Sequence, residues 1–178
     1  MNTNSLLAAL KKIVQIFEGE EIPYMVVGGF ALSYYNRART TNDIDINIQV
    51  YPNQIEKIVQ HFPEWMPSID TFRDNAEKGI VFNIFDFDSG VKYDFMVYKD
   101  SDYNWTAFER RKAVDYMGVK CMIASAEDLV ISKLIWYNIS KSEKQWGDLN
   151  FLMTLPDLDM QYLQLWAIKL FIKRHGLF

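Results

Sequence analysis

Between residues 43 and 48 the chain alternates strictly. Ile44, Ile46 and Ile48 fall on one face of a strand, and Asp43, Asp45 and Asn47 on the other. The same two-residue period returns in "VKYDFMVY", where Val91, Tyr93, Phe95 and Val97 oppose Lys92, Asp94 and Met96. "GIVFNIFDF" precedes it across "DSG", which predicts a hairpin, and "AVDYMGVKCMIA" predicts a second strand pair. Elsewhere the period is helical. Leu6, Leu7, Leu10, Ile13, Val14 and Phe17 predict a first helix that Asn4 or Ser5 caps and Gly19 ends. "IPYMVV" reads as a strand, "GGFALSYYNR" as a helix opening at the glycines, and "PNQIEKIVQHF" and "DYNWTAFERRK" as two further helices. After Ala124 the pattern is helical only: "LVISKLIWYN" behind a Ser125–Asp128 capping box, "WGDLNFLM" behind Ser142 and Gln145, and "DMQYLQLWAIKLFIKRH" after Pro156.

These elements predict an α+β fold: a mixed α/β core over residues 1–124, then a C-terminal helical part over 125–178. No Pro/Gly-rich linker divides the two, so one body with a cleft between its parts is expected.

Composition narrows the class. Of 178 residues, 49% are apolar and 24% charged, which supports a folded core rather than disorder. The net charge of −4 disfavours a nonspecific duplex binder. One cysteine, Cys121, rules out an internal disulfide and suits a reducing cytoplasm. Neither a signal-peptide pattern nor an apolar run of membrane-spanning length is visible, so a cytoplasmic protein is expected.

The chemistry concentrates on the polar strand faces. Asp43 and Asp45, two apart on a strand, project together and repel. Water, cationic side chains or a divalent metal must compensate. Rigidly held carboxylate oxygens suit Mg²⁺ or Mn²⁺. If the "VKYDF" strand lies beside "DIDI", Asp94 joins them, and three carboxylates are the set used for two-metal displacement at phosphorus. A helix starting at Gly28-Gly29 presents backbone N–H groups to a phosphate. Neither a P-loop nor a Rossmann fingerprint is present.

Val27-Gly28-Gly29 followed by Asp43-Ile44-Asp45-Ile46 resembles the signature of nucleotidyltransferases of the DNA polymerase β type. Within that superfamily the chain looks most like small bacterial AbiEii-type toxins. Arg39 and Thr41 stand before the aspartates. "FNIFDFDSGVKYDFMV" carries Asn83, Lys92 and Asp94, and Arg110-Arg111 and the late "EDLVISKLIWY" and "SEKQWGDL" stretches complete the match over roughly residues 22–170. The resemblance implies a polymerase β-like fold and an NTP donor. It implies a hydroxyl acceptor in RNA, a protein or a small molecule, and an antitoxin partner. Asp43, Asp45 and Asp94 would be catalytic and hold the metal, with Asp94 a candidate base. Gly28, Gly29, Arg39, Thr41, Lys92 and Lys133 would bind nucleotide. Two positions depart from the pattern: Asn36 replaces a common glycine, and Gly147 an arginine common before Asp148.

Several of these residues have plainer readings. Lys133 either snorkels to water or enters the cleft, and Lys92 meets a phosphate or a neighbouring carboxylate. Arg39 and Thr41 have a loop-holding alternative. At most one of Arg110 and Arg111 should face the site. Ser142, Gln145 and Asp148 are expected to be structural, and the tryptophans to pack the helical part. A module that keeps this fold without turnover is the alternative to an active enzyme.

Overall fold

The computed structural model describes residues 3–37, 41–51, 54–64 and 68–178. Among these, six strands form one sheet: β1 (Tyr24–Val27), β2 (Asp43–Ile48), β3 (Phe82–Asp86), β4 (Val91–Val97), β5 (Lys112–Tyr116) and β6 (Val119–Ile123), in the order β3-β4-β2-β1-β6-β5. The two expected hairpins are the antiparallel pairs β3–β4 and β5–β6. β1 runs antiparallel to β2, whereas β2–β4 and β1–β6 are parallel.

The helices are α1 (Thr3–Gly19), α2 (Gly28–Tyr34), α3 (Glu56–Val59), α4 (Ile69–Lys78), α5 (Asp102–Glu109), α6 (Ala126–Ser140), α7 (Glu143–Leu152) and α8 (Met160–Lys169). α1 covers the apolar sheet face. Its Leu10, Ile13 and Phe17 are fully buried, as are Ile44, Ile46, Ile48, Tyr93 and Phe95 beneath it. The Phe17 ring stacks on Tyr24 at 4.9 Å and meets Phe95 edge-on at 6.1 Å. The buried Tyr93 hydroxyl donates to the Ala9 carbonyl at 2.9 Å, which fixes α1 to the sheet. The opposite face of β2 and β4 is left for polar side chains.

The first helix begins at Thr3, so Asn4 and Ser5 lie within it rather than cap it, and three further local readings need correction. α4 has no counterpart in the sequence reading: only Phe72 and Ala76 are buried, so its apolar stripe is too thin to stand out. Its punctuation is clearer, with Ser68 at the N-cap and Gly79 left-handed at the C-cap (φ 62°). The helix expected over "PNQIEKIVQHF" shortens to Glu56–Val59, and Pro52 and Asn53 lie outside the described residues. The last helix ends at Lys169, and Phe171 adopts φ 54°, which helical backbone cannot continue.

Candidate active site

β2 sets the geometry. Because β2 and β4 are parallel and in register, Asp45 lies opposite Asp94, and Asp43 opposite Lys92. In-register residues of neighbouring strands share a face. All four side chains therefore project from one polar patch on the sheet. Asn83 on β3, opposite Asp94, extends it.

Gly28 has a definite steric role here. Its φ is 63°, and a Cβ built on it would lie 1.9 Å from Asp45 Oδ2 and 2.8 Å from Asp45 Cβ. Only glycine admits both the left-handed backbone and the carboxylate. Gly29 N–H then donates to Asp45 Oδ2 across a long 3.3 Å. Val27, the N-cap of α2, offers no side-chain hydrogen bond, so Asp45 caps the helix from a neighbouring strand.

Each aspartate has a different surrounding. Burial, then repulsion from Asp43, holds the Asp45 carboxyl above its ordinary range, against the pull of Gly29 N–H and Lys133. Asp43 Oδ1 accepts a 2.5 Å hydrogen bond from the buried Thr41 hydroxyl. Asp94 pairs with Lys92 at 2.6 Å. That bond raises the Lys92 ammonium pKa against the opposing effect of burial. Arg39 lies outside the described residues.

The helical part contributes from the other side. α6 starts at Ser125, whose hydroxyl accepts Asp128 N–H at 3.1 Å and donates to Asp128 Oδ2 at 2.6 Å, the expected capping box. Two turns on, α6 carries Lys133 inward. It is 6% exposed, pairs with Asp148 Oδ2 at 3.2 Å, and its charge acts on Asp45. Asp148 is thus the buried partner of Lys133 as well as a structural residue.

Sequence reasoning missed Arg37. Its Nε lies 3.9 Å from Asp148 Oδ1, its guanidinium sits 5.4 Å from the Phe151 ring centre, and Nη2 is 3.4 Å from where a Gly147 Cβ would stand. Arg37 thus sets a cation beside Gly147, where the resemblance leads one to expect an arginine. Asn36, just before it, adopts φ 65°, a conformation open to glycine and tolerated by asparagine. That explains the exchange at 36.

Arg110 and Arg111 are both engaged with other partners. Arg110 lies 3.2 Å from Glu127 and 3.7 Å from Asp128, over the Tyr162 ring at 3.9 Å, and the Tyr162 hydroxyl donates to Asp128 Oδ1 at 2.6 Å. This network ties the segment after α5 to α6 and α8. Arg111 folds back over Phe108. The second expected capping box does not form: Ser142 makes no side-chain cap bond, and Gln145 Oε1 is buried without a partner among the described residues. Trp166 is buried, whereas Trp136 is largely exposed.

The carboxylate oxygens are hard donors that suit Mg²⁺ or Mn²⁺. Among the described residues no three His, Cys, Asp or Glu side chains converge as a finished cage. Asp43, Asp45 and Asp94 are turned instead towards Thr41, Gly29 and Lys92. Hard oxygen donors of this kind suit a cation whose shell is completed by substrate oxygens and water, the usual habit of Mg²⁺.

The family described as "Nucleotidyltransferase of unknown function (DUF6036)" matches residues 4–169. No curated protein matches in sequence. Among solved structures, TM1012 of Thermotoga maritima superposes with a TM-score of 0.58 at 20% identity, over 84% of this chain and 96% of that one. The lincomycin-bound lincosamide adenylyltransferase LnuA gives 0.54 at 16% identity, over 86% and 98%. ANT(2")-Ia, in complex with adenylyl-2"-tobramycin, gives 0.56 at 13% identity, over 94% and 97%. At these identities the likeness is one of fold.

Proposed function

The chain belongs to the DUF6036 nucleotidyltransferase family, and from that premise we propose that it moves an NMP from an NTP to a hydroxyl acceptor on the face bearing Asp43, Asp45 and Asp94. The observation that carries this reading is the register of β2 and β4, which sets Asp45 beside Asp94 with Asp43 two residues away and the charge of Lys133 acting on Asp45.

In the reaction the acceptor oxygen bonds to the α-phosphorus. The bond from that phosphorus to the β-bridging oxygen breaks, and pyrophosphate leaves with the electron pair. Asp94 is the group placed to take the acceptor proton, once Lys92 turns from it to a phosphate. Lys133 opposes the negative charge of the triphosphate from the helical side. Gly28 and Gly29 leave only backbone beside Asp45, so a phosphate can approach closely. Thr41 orients Asp43. Asp43 and Asp45, joined by Asp94, would hold Mg²⁺ or Mn²⁺, which when bound neutralises developing charge on the phosphates.

The acceptor is RNA, a protein or a small molecule. The structural neighbours that carry lincomycin and adenylyl-tobramycin support the last class. The toxin role, with an antitoxin partner, draws its support from the AbiEii-type sequence motifs alone. A cytoplasmic site is supported by the single, buried, unpaired Cys121. Among the described residues no helix is long and apolar enough to cross a membrane.

The test is transfer of label from α-labelled NTPs, with Mg²⁺, into a component of cell extract. Asp43→Asn and Asp45→Asn should each abolish it, and label transfer unchanged in both would falsify the assignment. A second reading, a nucleotide-binding module without turnover, is favoured by the tight Lys92–Asp94 pair. It predicts a thermal shift with NTP and Mg²⁺ but no transfer.

A further inference from the structure

A cavity of about 530 Å³ opens at the other end of the sheet from the carboxylates. Ile22 and Pro23 before β1, Val50 after β2 and Tyr98 after β4 form its apolar wall. The segment beyond β2 leads into it, so its wall at Gln49 and Val50 lies roughly 13–17 Å from Asp45 at about 3.3 Å per residue. It is therefore separate from the face assigned to nucleotide transfer. Its volume falls within the range of small-molecule sites.

Two large aromatic side chains line this cavity and remain in water: Tyr51 is 75% exposed and Trp105 is 50% exposed. Core packing does not account for them. Trp105 is nevertheless held in place, because its indole N–H donates to Asp100 Oδ1 at 2.7 Å. Beside it the Asn104 amide donates to the Lys99 carbonyl at 2.9 Å, and Gln54 Oε1 accepts Tyr51 N–H at 2.9 Å. A half-exposed ring pinned this way has already given up much of its rotational freedom, which favours stacking of a ligand on it.

The lining also selects by charge. Lys99 is set against two carboxylates, Glu21 and Asp100. A phosphate would be repelled on balance. The amides of Gln49, Gln54 and Asn104 offer both donors and acceptors to the edge of a ring. We propose that this cavity is a second ligand site, for an uncharged planar heterocycle with hydrogen-bonding edges, the chemistry of a nucleobase carried without phosphate. The ring stacks on Trp105 and Tyr51, and its edge meets the amides.

The experiment is saturation-transfer NMR on the full chain without added metal, with adenosine, cytidine and a methyl hexopyranoside as separate probes. Both nucleosides should receive saturation and the hexopyranoside should not. Trp105→Ala should weaken nucleoside binding by about five- to 150-fold, the range for loss of one base–aromatic stack. Trp105→Phe, which keeps a ring, should retain most of it. Asp43→Asn/Asp45→Asn should bind nucleosides like the parent. Absence of nucleoside signal overturns the proposal, as does binding unchanged by Trp105→Ala, binding lost in the double asparagine variant, or saturation of the hexopyranoside alone.

Discussion

Replacing Gly28 by alanine tests whether the glycine pair serves the aspartates. Two costs arise. The left-handed backbone, at φ 63°, disfavours any side chain by roughly 1–2 kcal/mol, or a drop of about 2–8 °C in Tm for a domain of this size. Separately, the new Cβ would stand 1.9 Å from Asp45 Oδ2 and 2.8 Å from Asp45 Cβ. Rotating the carboxylate removes the first clash but not the second, so β2 itself must move. A displacement near 1 Å at a reacting centre costs on the order of 100-fold in rate. Gly118 provides the control, because its φ is 86° and nothing lies within 4 Å of its would-be Cβ. Gly118→Ala should therefore bear the backbone cost alone, losing no more stability than Gly28→Ala and keeping its transfer rate. Urea unfolding reads the first quantity and label transfer the second. Gly28→Ala transferring within twofold of Gly118→Ala would refute the steric account of Gly28.

Further consequences concern the charges. Burial and Asp43 raise the Asp45 carboxyl above its ordinary range, so the folded state holds that proton more tightly than the unfolded chain and stability falls as pH rises through this window. Asp45→Asn in metal-free buffer should thus raise Tm at pH 7 while abolishing transfer, with the gain vanishing below the ordinary carboxylate range; a lower Tm at pH 7 contradicts this. Lys133→Met takes the 3.2 Å partner from buried Asp148 and should cost at most about 3–5 kcal/mol in urea unfolding, much of it recovered in Lys133→Met/Asp148→Leu. Tyr162→Phe removes a 2.6 Å donor from buried Asp128 and should cost about 1–3 kcal/mol in urea unfolding.

Alternation made β2 and β4 legible, because an apolar face under α1 and a polar face above leave few other readings for "DIDINI" and "VKYDFMV". That Asp94 belongs with the pair was visible only as a condition: the parallel register that sets it against Asp45 depends on a crossover no local pattern encodes. Lys133 was ambiguous for a related reason. A lysine in an apolar helix looks the same whether it snorkels to water or enters a cleft, and its buried pair with Asp148 comes from the next helix. Arg37 was out of reach, since its partner lies 111 residues further along the chain. The Ser125 and Ser142 patterns looked alike, yet only Ser125 caps its helix through its side chain, with Asp128 held further by Tyr162.

The central claim is that the Asp43–Asp45–Asp94 face transfers a nucleotide. The most direct measurement compares α-labelled with γ-labelled NTP in the presence of Mg²⁺ and the acceptor fraction, for the parent protein and Asp45→Asn. The account predicts label on the acceptor from the α position only, γ label released in pyrophosphate, and neither product from Asp45→Asn. Acceptor labelled from the γ position, or α label transferred equally well by Asp45→Asn, would contradict it.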